Sequence, residues 1–211
     1  MHWLDPEFLP EVTGVFARFL MNPHGEADGL ILTDGTEVHF PPHLSDEIRA
    51  AVPAREPSKI TIRGVRPRGA DMVAAVAIET ADGKRIVDNG PPKKHDKHEK
   101  PERTRPKPKR TPMQVESTVR RALHGPKGEL RGALLEDGTI VRFAPHEGQR
   151  LAQLLSPGRS IAIRGEGLTS ELGTVIEAQQ AGASANGLQP LKPKQPKHEK
   201  PSHHRPDPLA L

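Results

Sequence analysis

The chain has 211 residues, of which 34% are hydrophobic and 27% are charged, and it contains no cysteine. The lack of cysteine excludes disulfides and thiolate metal sites. No apolar run approaches the roughly 18 residues of a membrane-spanning helix. The first residues have neither a basic start nor an apolar core, so we expect no signal peptide, no membrane contact and a cytoplasmic location.

The net charge of +4 is unevenly distributed along the chain. Residues 91–112 carry +6 and residues 189–211 carry +3, which leaves −5 for the remainder. Both basic segments are rich in proline, lysine and histidine and nearly free of aliphatic residues, a composition that predicts disorder. Flexible basic arms beside mildly acidic folded parts are typical of polyanion binding, and equally of solubilising linkers.

The chain contains one ten-residue stretch twice. DGTEVHFPPH begins at Asp34 and DGTIVRFAPH begins at Asp137, with seven residues identical in register. KITIRG from Lys59 likewise matches SIAIRG from Ser160, and the KHEKP of the first basic segment returns in the second. Self-similarity at fixed spacing predicts two copies of one domain, each followed by a basic tail.

Alternating apolar residues predict the strands of each copy. The inward face of the first strand is expected to carry Val12, Phe16 and Leu20, and in the second copy Val115, Val119 and Leu123. The inward residues of strands two to four are expected to be Leu30, Leu32, Val38, Phe40, Ile60 and Ile62, and in the second copy Ala133, Leu135, Val141, Phe143, Ile161 and Ile163. The Asp-Gly pairs of the repeated stretch predict tight primed hairpin turns, in which glycine takes a positive φ. Ser45 is predicted to be the N-cap of a helix. A last hairpin is predicted around Gly83 in the first copy and is missing from the second.

Each copy therefore follows the order β-β-β-α-β-β. This order, the Asp-Gly-Thr hairpins and the Ile-x-Ile-Arg-Gly strands resemble the OB-fold, a five-stranded Greek-key barrel. The resemblance covers residues 11–89 and 114–181, and it extends to uncharacterised bacterial proteins with tandem OB-like domains, for which no activity is defined. We expect an all-β protein of two tandem OB-like five-stranded barrels with one short helix each. The predicted segments are an arm at 1–10, a barrel at 11–90, a disordered basic linker at 91–112, a barrel at 113–182 and a disordered basic tail at 183–211.

The resemblance implies nucleic-acid binding, because OB-folds often bind single strands on the face of strands two and three. That face is expected to carry Ile31, Thr33, Glu37 and His39, and in the second copy Leu134, Glu136, Ile140 and Arg142. No aromatic residue is expected to point outward there, which argues against base stacking. Basic residues that neutralise phosphates without reading sequence are the better candidates.

The candidate nucleic-acid contacts lie in the two basic segments and on the barrels. In the segments they are Lys93, Lys94, Lys97, Lys100, Arg103, Arg105, Lys107, Lys109, Arg110, Lys192, Lys194 and Lys197. On the barrels they are Arg18, His39, Arg63, Arg120, Arg121 and Arg142. The expected partner is single-stranded or structured nucleic acid, with DNA and RNA not distinguished.

Metal binding and catalysis find less support. His24, His39 and His43 are candidates to converge near the first hairpin, but the second copy has Lys127 and Arg142 in place of the first two. We therefore predict no metal site. No phosphate loop, Gly-x-Ser-x-Gly or His-Glu-x-x-His pattern occurs, so no catalytic residues, cofactor or enzyme activity are expected.

A second function stays open at the level of sequence. Two small barrels on a flexible linker are suited to bridging partner proteins, because linking two binding modules raises their effective concentration. A protein-binding adaptor is therefore the alternative to a nucleic-acid-binding protein.

Overall fold

The computed structural model describes residues 5–53, 57–90 and 108–192. Within them the chain forms two closed five-stranded barrels with short helices, which confirms the predicted all-β fold of tandem OB-like units. Residues 1–4 of the predicted arm, 91–107 of the predicted linker and the predicted tail from residue 193 lie outside the described residues, so the prediction of disorder for the linker and tail stays untested there. In the described remainder of these two segments, residues 111–112 and 189–190 form strands and not disordered chain.

The first barrel closes through its first strand, which bends so that it can pair on both sides. The strands are β1 (Glu11–Met21), β2 (Ala27–Leu32), β3 (Glu37–His39), β4 (Lys59–Val65), β5 (Met72–Thr80) and β6 (Arg85–Val87), and α1 (Ser45–Ala51) joins β3 to β4. Residues 11–15 of β1 pair with β4, and residues 16–21 pair with β2. Parallel pairing of β3 with β5 completes the barrel.

The second barrel repeats this topology. Its strands are β7 (Thr111–His124), β8 (Leu130–Leu135), β9 (Ile140–Arg142), β10 (Ser160–Ser170), β11 (Gly173–Gly182) and β12 (Gln189–Pro190), and α2 (Gly148–Leu151) follows β9. Parallel pairing of β9 with β11 closes the barrel. No last hairpin was predicted for this copy, but β12 pairs antiparallel with β11 at Gln180, just as β6 pairs with β5 at Ala77, and a 3-10 turn at Ala185–Gly187 lies in the connection.

Each barrel has its own apolar core. The first core includes Phe16, Phe19, Leu30, Leu32, Val38, Phe40, Ile48, Ile60, Ile62 and Val73. The second includes Val119, Ala133, Leu135, Val141, Phe143, Leu151, Leu155, Ile161, Ile163 and Ile176. The predicted inward faces of strands two to four are therefore correct, because period-two alternation reports directly which face is buried.

The predicted inward face of the first strand is wrong at its end. A register shift between Phe16 and Arg18 reverses the alternation, so Phe19 enters the core with its ring 4.6 Å from that of Phe16. Leu20 is turned out of the core, and so is Leu123 after the same shift in the second copy. An inserted residue of this kind cannot be read from alternation alone.

The repeated Asp-Gly stretch forms a hairpin of a different type from the one predicted. Gly35 and Gly138 have φ of 90° and 86°, so glycine is needed at both positions. However, the Gly35 amide donates to the Leu32 carbonyl and the Leu32 amide donates to the Thr36 carbonyl. This is the pattern of a three-residue loop ending in a glycine bulge, and not of a two-residue primed turn.

Ser45 is the first residue of α1 and not its N-cap. A 3-10 turn at Pro42–Leu44 runs directly into the helix, so Leu44 occupies the cap position. The Ser45 hydroxyl instead accepts a hydrogen bond from the Ala27 amide at 2.9 Å, and both residues are buried. The side chain therefore fastens the start of the helix to β2.

Candidate functional site

The two barrels pack against each other through the faces on which OB-folds often bind single strands. A third apolar cluster belongs to neither core and joins the two barrels, with Leu20, Met21 and Ile31 from the first and Leu123, Leu134, Ile140, Leu168 and Val175 from the second. Of the eight residues predicted to form two open faces, Thr33 and Glu136 are exposed and the other six are buried. The predicted binding face is therefore the interface between the barrels.

Each hairpin built by the repeated stretch accepts a hydrogen bond from an arginine of the opposite barrel. Arg18 on β1 donates from Nη2 to the Gly138 carbonyl at 3.0 Å, and Arg121 on β7 donates from Nη1 to the Gly35 carbonyl. The two arginines occupy the same position in their copies, so the contacts are related by an approximate twofold axis. Burial, and after it the neighbouring charge of Arg120, lowers the pKa of Arg18.

The twofold relation breaks down at Glu37, which is completely buried on β3. Its carboxylate accepts hydrogen bonds from the His124 amide at 2.9 Å, from His124 Nδ1 at 3.0 Å and from His39 Nε2 at 3.2 Å. Burial alone would raise the pKa of Glu37, but the bonds from His124 and His39 outweigh it and hold the pKa at about 2. The equivalent residue of the second copy is Ile140, which lies in the interface cluster.

Arg142 occupies the position of His39 in the second copy and has a different function in the interface. It is buried, and its Nε donates to the Met21 carbonyl at 2.9 Å. Its Nη2 donates to Asp28 Oδ1, also at 2.9 Å. A buried guanidinium needs such partners, because an unpaired charge removed from water is costly. The main difference between the two repeated stretches therefore makes the interface asymmetric.

A cleft of about 510 Å³ opens where the barrels meet, and we call it the inter-barrel cleft. Its charged and titratable lining residues are His24, Asp28, His39, His124, Arg131, Arg142, Glu177 and Lys192. The apolar lining includes Pro23, Pro42, Phe143 and Leu191. Cationic residues and imidazoles outnumber carboxylates in the lining, so the cleft is suited to anions.

The residues predicted to contact nucleic acid lie in different environments. Lys93, Lys94, Lys97, Lys100, Arg103, Arg105, Lys107, Lys194 and Lys197 lie outside the described residues. Arg18 and Arg121 bond to the hairpin of the opposite barrel, whereas His39 and Arg142 are buried in the interface and line the inter-barrel cleft, so none of the four lies on an open strand face. Arg63 pairs with Glu11 at 2.7 Å and with Glu7 of the N-terminal arm. Lys109, Arg120 and Lys192 are exposed.

Both basic segments join the folded part beside the inter-barrel cleft. Lys192, the last described residue of the second basic segment, lines the cleft, and its amide donates to Glu147 Oε1 at 2.9 Å. At the end of the linker, Arg110 Nη2 donates to Glu177 Oε2 at 2.6 Å, and Glu177 lines the cleft. Pro108 lies beside Gly25, next to the cleft residue His24.

Sequence reasoning missed His124 and Arg131 as members of a site. His124 has no counterpart in the first copy, where Met21 stands, and its partner Glu37 lies 87 residues earlier. No pattern within one copy could link them. The described residues hold no group of three or more His, Asp or Glu arranged to bind a metal ion, and none of their helices is long and apolar enough to cross a membrane.

No protein-family model and no curated protein sequence matches the chain. Among solved structures, it is similar to a deletion mutant of the single-stranded DNA binding protein from Thermus aquaticus. The two are 13% identical, the alignment covers 90% of this chain and 96% of that one, and the TM-score is 0.25. A similarity at this level carries no argument about function, which has to come from the site itself.

Proposed function

We propose that the protein binds nucleic acid without sequence preference and without catalysing a reaction. The observation that carries this proposal is that Arg110, at the end of the basic linker, and Lys192, at the start of the basic tail, both adjoin the inter-barrel cleft. Two cationic segments that leave the folded part at one place can follow one polyanion in both directions. The proposal concerns phosphate contacts, which supply affinity but no sequence information.

The chemistry of the described surface supports phosphate contacts over base contacts. Single-strand binders without sequence preference stack bases on aromatic side chains. The aromatic residue that lines the cleft, Phe143, is buried, and Phe8 on the N-terminal arm is the exposed aromatic among the described residues. The strand faces that carry such aromatics in OB-folds are covered by the opposite barrel. Recognition of the backbone by charge is therefore the mode that remains.

The alternative of an adaptor finds no support in the arrangement of the barrels. Bridging through effective concentration requires modules that engage their partners separately. Here the barrels share an apolar cluster and are joined by two equivalent hydrogen bonds from arginines to hairpin carbonyls, so they present one surface and not two.

The test is fluorescence anisotropy of the full chain with single- and double-stranded oligonucleotides across a salt series. One variant replaces the tail cations Lys194, Lys197, Lys200 and Arg205 by glutamine. A matched control replaces four exposed barrel cations, Lys59, Arg68, Lys84 and Arg159. The tail variant should lower the slope of log affinity against log salt by roughly 3, because each neutralised phosphate contributes about 0.7–0.9.

The control variant should change the slope much less, although it removes the same charge. An equal decrease of this slope in both variants would show that binding depends on net charge alone and that the tail does not contact the nucleic acid preferentially. Failure of the unmodified chain to bind any oligonucleotide at low salt would refute the proposal.

A further inference from the structure

The inter-barrel cleft has the side chains of an anion site within the folded part itself. Arg131, Arg142 and Lys192 face two carboxylates, those of Asp28 and Glu177, so the lining keeps a net positive charge even when its histidines are neutral. Both carboxylates already have cationic partners, since Asp28 pairs with Arg142 and Glu177 pairs with Arg110. Lys192 is exposed, and none of the described carboxylates lies within salt-bridge distance of its ammonium group.

Glu37 fixes the orientation of two of the three imidazoles in the lining. It accepts from His39 Nε2 and from His124 Nδ1, and a carboxylate with a pKa of about 2 stays ionised throughout the range in which histidines titrate. The opposite ring nitrogens, Nδ1 of His39 and Nε2 of His124, have no recorded partner among the described residues. When these rings are protonated, both nitrogens become donors.

The dimensions of the cleft restrict what it can hold. A volume of about 510 Å³ lies within the range of small-ligand pockets, roughly 300–1,000 Å³. This space accommodates a phosphate with an attached sugar and is too small for a duplex. A tetrahedral oxyanion suits a lining of guanidinium, ammonium and imidazolium donors, which form charge-assisted hydrogen bonds.

We infer that the inter-barrel cleft binds one phosphate group, held by Arg131, Lys192 and the imidazoles of His24, His39 and His124. The inference rests on the proposed function, because a nucleic acid is the source of the phosphate, either from within a strand or from its end. Binding strengthens as pH falls, since protonation adds up to three positive charges to the lining. The charged groups that line the cleft or contact its lining residues are Asp28, Glu37, Arg110, Arg121, Glu129, Arg131, Arg142, Glu147, Glu177 and Lys192, and Arg131 itself lies 3.9 Å from Glu129 Oε1.

The first test uses inorganic sulfate, whose charge is constant over the pH range of interest, unlike that of a phosphate monoester. Sulfate is titrated into the full chain, and the histidine ring resonances are followed by NMR at pH 7.5 and pH 5.5. The rings of His24, His39 and His124 should shift together and saturate. The affinity should be about tenfold higher at pH 5.5, as expected for one added charge-assisted hydrogen bond.

The second test separates the cleft from the rest of the protein. Arg131→Gln combined with Lys192→Gln removes two exposed or half-exposed cations from the cleft, while Arg159→Gln combined with Lys59→Gln removes two exposed cations elsewhere. The buried Arg142 is left in place because its loss would disturb the interface. The cleft variant should weaken binding of a short single strand at least tenfold more than the control, and His24→Gln should reduce the dependence on pH.

Oligonucleotides with and without a 5′ phosphate identify the source of the group. Tighter binding of the phosphorylated strand, lost in the cleft variant, assigns the site to a strand end. Equal binding of both strands, weakened in the cleft variant, assigns it to a phosphate within the strand.

Failure of the inference can be told apart from failure of the proposed function. If oligonucleotides bind but the cleft variant matches its control and sulfate moves none of the three rings, the inference is wrong and the proposed function stands. If the unmodified chain binds no oligonucleotide at low salt, the proposed function is wrong and the inference falls with it.

Discussion

Glu37 shows how a single side chain connects the two copies. Its carboxylate is completely buried and bonds to His39 of its own barrel and to the amide and ring of His124 in the other. A buried carboxylate without such partners would be protonated or would destabilise the fold. The three hydrogen bonds therefore make an ionised group compatible with a buried position, and they couple the stability of the interface to pH.

The stability of the protein should fall in acid partly because of Glu37. Its folded pKa of about 2 lies below the ordinary value of 4.5, so its contribution is present above about pH 4.5 and is lost as pH falls towards 2. The shift corresponds to roughly 3 kcal/mol at neutral pH. Urea unfolding from pH 7 to pH 2 should show a shallower loss of stability in Glu37→Gln. Identical pH profiles would show that Glu37 is not ionised in the interface.

Gly35 has a positive φ, which a β-branched residue adopts only at a cost in stability. With φ at 90°, replacement by valine should cost about 1–2 kcal/mol and lower Tm by roughly 2–8 °C. Gly35→Asn is the matched control, because asparagine adopts positive φ more readily and should lose less. Thermal unfolding followed by circular dichroism measures both. If valine and asparagine lower Tm equally, the loss comes from crowding of Arg121 and not from the backbone.

The sequences of β2 and β8 indicate that both faces of these strands are buried, which the period-two alternation used to predict the cores does not show. Leu30-Ile31-Leu32 and Ala133-Leu134-Leu135 are unbroken apolar runs, which are typical of strands buried on both faces. One face of each enters its own core, and Ile31 and Leu134 enter the cluster between the barrels. The runs indicate that the outer faces are covered, but they do not say by what.

The strands, hairpins and cores could be predicted because they depend on residues close in sequence. Alternation identified Leu30 and Leu32, and the Asp-Gly pairs located both hairpins. The register shift after Phe16 depends on how β1 bends between two neighbours, so it left no local pattern. The contact of Glu37 with His124 depends on how two folded units dock, and no pattern within one copy predicts that arrangement.

Leu134 and its neighbour Leu135 allow the interface to be compared directly with a barrel core. They point to opposite faces of β8, and both are buried, Leu134 between the barrels and Leu135 inside the second. Either leucine replaced by alanine should therefore cost about 2–5 kcal/mol in urea unfolding. Val65→Ala, at a half-exposed position of β4, serves as the control and should cost far less. A loss at Leu134 as small as at Val65 would mean that the barrels are not docked in solution.

The two copies behave like the halves of a dimer joined in one chain. In a twofold interface, each contact occurs twice, with the two partners exchanged. Arg18 with Gly138 and Arg121 with Gly35 keep this rule. The polar contact of Glu37 with His124 has no polar counterpart, because the equivalent residues are Ile140 and Met21. Divergence of the copies has therefore given the two halves of the interface different polar contacts, Glu37 with His124 in one and Arg142 with Asp28 and the Met21 carbonyl in the other.

This relation predicts that the ionic contact can be built a second time. Ile140→Glu alone should be strongly destabilising, by about 3 kcal/mol or more, because the buried carboxylate lacks the imidazole donor that His124 supplies to Glu37. Met21→His should destabilise less. The two together should be more stable than their summed effects by about 1–3 kcal/mol, since the new histidine faces the new glutamate as His124 faces Glu37. Urea unfolding at pH 7 completes the double-mutant cycle, and strict additivity would show that the interface does not have the twofold relation seen in the structure.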